Sequence, residues 1–189
     1  MNSAFLPDKL RSRMGLKYDT YTLAVNTAVP TNIVMFSAPI SASKGLNLTN
    51  MTDQNRLPAG EAMKVMAIRA VTIGMDLADI IALQKNYCLR FKIGTKYFLE
   101  APIEAFPGGA GATGVVTTTA TTTTLFNYNN GIADPRAVYG LGQEFPLDLP
   151  SQAFFSVELT GTSFTSANAG GGGIFLRVYL DGLIYEPLQ

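Results

Sequence analysis

Residues Tyr87–Ile93, YCLRFKI, alternate strictly: Tyr87, Leu89, Phe91 and Ile93 fall on one side, Arg90 and Lys92 on the other. A period of two belongs to a strand with one buried and one solvated face. Gly94-Thr95 then reads as a short turn and residues 96–103 as a second strand ending at Pro102, which together predict a β-hairpin. The same alternation recurs around Arg177 in residues 174–180, IFLRVYL, before Asp181-Gly182, which reads as a turn into residues 183–185. Residues 144–149 and 153–160 read as strands separated by Pro150, and residues 33–38 as a short apolar strand between Pro30 and Pro39. Residues Ala62–Ile73 alternate at first and then lose register near residues 66–68, which predicts a bulge or a strand covered on both faces.

Helical periodicity appears once with supporting charges, in residues 75–85. Leu77, Ile80, Ile81 and Gln84 fall at i, i+3, i+4 and i+7, with Asp76 near the start and Lys85 near the end. Residues 42–60 are polar and close on Leu57-Pro58-Ala59-Gly60, a turn signal. Residues 108–124 use only Gly, Ala, Thr and Val, and read as a long loop inserted between strands; residues 163–173 read as a second small-residue loop. Asn130-Gly131 and Asp134-Pro135 are further turn pairs. Residues 1–30 read as an arm. Phe5, Leu6, Leu10 and Met14 recur at helical spacing, between Pro7 as a start and Gly15 as a stop. The expectation is an arm over residues 1–30 and one domain over residues 31–189. With about eight antiparallel strands, one short helix and long loops, the fold class is all-β, and eight strands in two sheets make a jelly-roll β-sandwich.

Composition sharpens this picture. The 189 residues are 47% apolar and 15% charged, with 14 cationic against 14 acidic side chains. The usual charged share is about 25%. A neutral, apolar-rich surface favours subunit contacts, and zero net charge argues against coating nucleic acid along the whole surface. There is no His and one Cys, Cys88, which reads as a small buried hydrophobe in a strand. Ser-His-Asp and Cys-His nucleophile arrangements are therefore excluded, and tetrahedral zinc sites are not expected.

Residues 109–114 match GxGxxG, but a dinucleotide site needs a helix to begin there, and VVTTTATTTT follows. The acidic pairs Asp76 with Asp79 and Glu100 with Glu104 read as structural. No catalytic, metal or cofactor residue is expected, nor an enzyme or a small-molecule substrate. Two glycosylation patterns at Asn47 and Asn50 carry no expected consequence, because residues 1–20 lack the continuous apolar run of a secretory signal. No apolar run is long enough for a transmembrane helix. Lys9, Arg11, Arg13 and Lys17 are candidate arm contacts to a neighbouring subunit, a membrane or a genome.

The layout of residues 131–149, GIADPRAVYGLGQEFPLDL, followed by AFFSVELTG, together with KYFLEAPIEAFPGGAGATG before it, resembles single jelly-roll capsid proteins of icosahedral, tailless bacteriophages. The resemblance covers residues 31–189 at the level of layout. It implies a capsid subunit that self-assembles into capsomers and a shell, located in the virion and made in the host cytoplasm. Its partners would be further copies and other capsid subunits, with the arm facing a neighbour, an internal membrane or the genome. The alternative is a jelly-roll carbohydrate-binding or host-attachment module of a virion, with Tyr128, Asn129, Asn130 and Tyr139 as glycan contacts. The lack of Trp weighs against it.

Overall fold

The computed structural model describes residues 10–24, 26–75, 77–108, 113–118, 124–129, 139–141, 146–166 and 174–187. Its elements in chain order are β1 (Leu10–Leu23), β2 (Asn32–Met35), β3 (Ala62–Ile73), α1 (Leu77–Asn86), β4 (Tyr87–Ile93) and β5 (Lys96–Pro102). A 3-10 turn (Ile103–Ala105) follows, then β6 (Thr113–Thr118), β7 (Thr124–Asn129), β8 (Tyr139–Gly140), β9 (Leu147–Leu149), β10 (Phe155–Gly161) and β11 (Ile174–Pro187). One sheet runs β1-β11-β3, with β8 and β9 both on the far side of β3; the other runs β2-β10-β4-β5.

Taken together, β8 and β9 act as a single broken strand. The sandwich then has eight strands, and they pair first with last, second with seventh, third with sixth and fourth with fifth. Those nested antiparallel pairs are one long ribbon rolled into two sheets, which is the jelly roll. The fold class read from the pattern is what the structure has.

The core lies between the sheets. From the first come Met63, Val65, Ile68, Leu176, Val178, Leu180 and Ile184; from the second, Ile33, Met35, Leu89, Phe91, Phe155, Val157 and Leu159. Phe91 stacks on Phe155 at 6.3 Å, and Phe36 tilts against the same ring at 5.5 Å. Helix α1 adds Ile80 and Leu83 to this core, within the residues where helical periodicity places it. The β4–β5 hairpin also forms as expected. Gly94 takes φ +59° at its turn, the left-handed region where glycine has no side-chain clash.

The lost register in β3 is a bulge: Asp181 opposes Ala67 and Gly182 opposes Val65, so Met66 is the extra residue. The Met66 carbonyl accepts the Leu141 N–H at 2.8 Å.

Several sequence expectations are corrected. Residues 10–23 are no arm and no helical turn; β1 pairs with β11 from Leu10↔Pro187 to Leu23↔Ile174. The first strand of the domain therefore lies inside the segment assigned to the arm. Asp181-Gly182 is no turn, because β11 continues through it to Pro187. The Gly/Thr insertion is not wholly loop, since it contributes β6 and part of the β6–β7 hairpin. Cys88 is half-buried, on the side of β4 away from the core. The turn pairs at Asn130-Gly131 and Asp134-Pro135 lie outside the described residues.

Candidate functional site

The inward side of β1 carries charge, and its outward side carries apolar groups. Lys17 and Asp19 sit opposite Leu180 and Val178, both core residues, and are themselves buried. Lys17 meets Glu61 at 2.6 Å. Asp19 accepts the Phe36 N–H at 2.6 Å and meets Lys44 at 2.6 Å. Phe36 is fully buried with φ +64°, a strained conformation for a bulky residue. Asp19 thus ties the connection between β2 and β3 to the inner face of the first sheet at two points.

Facing out on the same strand are Met14, Leu16 and Tyr18. Met14 is 73% exposed and Leu16 38%. The Tyr18 hydroxyl donates to the Leu46 carbonyl, and Leu46 is 63% exposed. These residues form an apolar strip along the strand and onto the adjoining loop. Beside it lies a satisfied polar cluster. Arg69 forks onto Asp181 at 2.6 and 2.9 Å with its guanidinium 4.5 Å from the Tyr179 ring. Arg177 donates to the Thr20 hydroxyl at 2.8 Å, to the Asn47 carbonyl at 2.6 Å and to the Tyr179 hydroxyl at 3.3 Å.

The outer face of the second sheet is a closed network. Arg90 donates to Glu100 at 2.9 Å and lies 4.0 Å over Tyr97. Glu158 receives Tyr97 at 2.9 Å and Lys92 at 3.4 Å. Asp79 is buried and accepts the Ser166 hydroxyl at 2.9 Å. Glu104 is exposed on the 3-10 turn, and Asp76 lies outside the described residues. Glu100 is held by Arg90. Among the described residues no group of three or more His, Cys, Asp or Glu is placed to hold a metal, and no helix is long and apolar enough to cross a membrane.

The described members of the four candidate arm cations differ in their surroundings. Lys9 lies outside the described residues, and Arg11 is exposed on β1. Arg13 donates to Glu186 at 2.7 and 3.2 Å, and Lys17 is committed to Glu61. The Arg13 hydrogen bond holds the Glu186 carboxyl below its ordinary range and raises the guanidinium. That stabilisation is present at neutral pH and fades as pH falls through the lowered Glu186 value; exposure keeps it small. Elsewhere, burial pushes the Tyr87 phenol up, and its hydroxyl donates to the Pro30 carbonyl at 2.7 Å.

Of the candidate glycan residues, Tyr128 and Asn129 belong to β7 and Tyr139 to β8, strands of different sheets; Asn130 lies outside the described residues. The apolar strip escaped sequence reasoning. Its only signal was Met14-x-Leu16-x-Tyr18, an alternation that by itself places the apolar side inward, whereas the structure turns it out.

The four open edges of the sandwich are each blunted. On β1, the Asn50 side chain accepts the Tyr18 N–H at 2.9 Å and donates to the Leu16 carbonyl at 2.8 Å, occupying the ladder positions a further strand would use. β2 is four residues long. β5 has a bulge opposite Phe91/Lys92 and ends in Pro102. The fourth edge is broken into β8 and β9. Short strands, bulges, proline and charge are the devices that prevent indiscriminate strand pairing.

No protein family, curated protein or solved structure matches the chain.

Proposed function

We propose that the chain is a capsid subunit that self-assembles through contacts between copies, without enzymatic activity. The observation that carries this reading is the apolar strip of Met14, Leu16 and Leu46 on the outer side of a jelly roll in which many of the described charges pair with one another. An exposed apolar patch beside satisfied polar groups is the usual mark of a protein contact. Zero net charge and a low charged fraction favour association over free solution. The jelly-roll order is compatible with the layout resemblance to phage capsid subunits, and the virion is the location that follows from it. Contact with a genome or membrane through the N-terminal cations has less support, because Arg13 and Lys17 are engaged within the fold.

The test is native mass by light scattering after size-exclusion chromatography at low and high salt, followed by electron microscopy. Trimers, pentamers, hexamers or closed particles are the expected result. A 20.2 kDa monomer at high concentration would overturn the reading.

Met14→Lys and Leu46→Asp check the strip directly. Both positions are exposed, so each variant is expected to melt within about 0.5 kcal/mol of wild type. Together they are expected to raise the concentration for half-assembly by roughly tenfold or more, the effect of losing central apolar contacts. Unchanged assembly would exclude the strip as the contact.

A further inference from the structure

We infer that the β6–β7 hairpin is a second assembly element, in which β6 pairs edge to edge with β6 of a second copy; this rests on the capsid-subunit reading above. The hairpin is registered from Thr113↔Asn129 to Thr118↔Thr124 and forms a sheet of its own. No described strand of either main sheet pairs with it. Two strands alone are marginal in water and gain stability from a third.

Its sequence suits pairing. Every residue of β6, TGVVTT, is β-branched except Gly114. Such residues fit the pleated surface of a sheet. Residues 105–133 contain no Asp, Glu, Lys or Arg. Strand edges left to face water are normally protected by charge, proline or a bulge. The sandwich edges carry those devices, whereas β6 has neither a charge nor a proline.

The same comparison selects the occupant. The sandwich edges of a neighbouring copy are obstructed by Asn50, by the break between β8 and β9, by the bulge in β5 and by the short length of β2. An uncharged strand meets its own copy without like-charge repulsion. Antiparallel pairing of a strand with itself about a two-fold axis is isologous, so the strand needs no separate acceptor. Two hairpins would then make one four-stranded sheet.

The experiment uses full-length Val116→Lys and Val116→Glu, each alone and mixed in equal amounts, with native mass and thermal melting as readouts. Val116 pairs with Phe126 in the hairpin register, and the melting temperature of each variant is read beside its assembly so that a folding defect is told apart from a lost contact. Each alone is expected to require about tenfold more protein to assemble, because like charges oppose across the new pairing. The mixture is expected to recover wild-type assembly. Single variants that assemble like wild type would overturn the hairpin pairing and leave the capsid reading standing. Assembly lost in both variants and not recovered by mixing would overturn like-with-like pairing. A wild-type monomer would overturn both readings together.

Discussion

Gly182→Ala is expected to destabilise the folded state severely. At this position a Cβ would lie 1.8 Å from the Lys64 carbonyl oxygen, far inside van der Waals contact. The obstacle is backbone, held on β3 by its ladder to β11, and no rotamer change can relieve it. The two strands come this close beside the bulge at Met66, where only a residue without a side chain fits. Overpacking by a methyl group in a deformable core costs about 1–3 kcal/mol, and a rigid backbone clash costs more. A loss of at least about 3 kcal/mol in urea unfolding is expected, a large part of the roughly 5–15 kcal/mol typical of a whole domain. A variant that melts within a few degrees of wild type would show that β3 and β11 can separate here without penalty.

Asp19→Ala is expected to destabilise the protein by about 3–5 kcal/mol, the range for removing one partner of a buried ion pair. Two groups lose their partner at once. The Phe36 N–H is left without its acceptor inside a buried segment, and Lys44 loses its counter-charge. Phe36 holds a positive φ, and the Asp19 bond to its N–H is one of the contacts that keep it there. Asp19→Asn keeps an acceptor for Phe36 and removes only the charge, and is expected to lose about half as much. Chemical denaturation of the three proteins at neutral pH checks the order. Equal losses for Ala and Asn would mean that the Lys44 contact, not the Phe36 N–H, carries the stabilisation.

These two sites also show where sequence reading ran out. Strands β4, β10 and most of β11 were legible because their inward positions are apolar without exception, so period two stands clear of noise. Helix α1 was legible because its charges sit where the helix dipole favours them. β1 was hidden. Its inward positions include Lys17 and Asp19, and its outward ones Met14 and Leu16, so its polarity is reversed over that stretch. Such a reversal is tolerated only because Glu61, Lys44 and the Phe36 N–H arrive from distant parts of the chain to satisfy the buried charges. In the same way Asp181-Gly182 reads as a turn in isolation. Within the sheet, Asp181 is held by Arg69 and Gly182 makes room for Lys64, and the strand runs straight through.

The candidate surfaces divide along the same line. The absence of His and the single Cys are properties of composition, and they removed whole classes of chemistry before any fold was known. The uncharged stretch around residues 108–124 was visible as well, although its β6–β7 hairpin was not. The exposed strip could not be read from the chain, because whether Met14 or Lys17 faces solvent is decided by the pairing of β1 with β11. Local periodicity determined that this is an antiparallel sandwich of strands with one helix. Only the tertiary structure decided the nested order of those strands, the burial of charges on β1 and the outward turn of its apolar side chains, since each depends on partners far away in sequence.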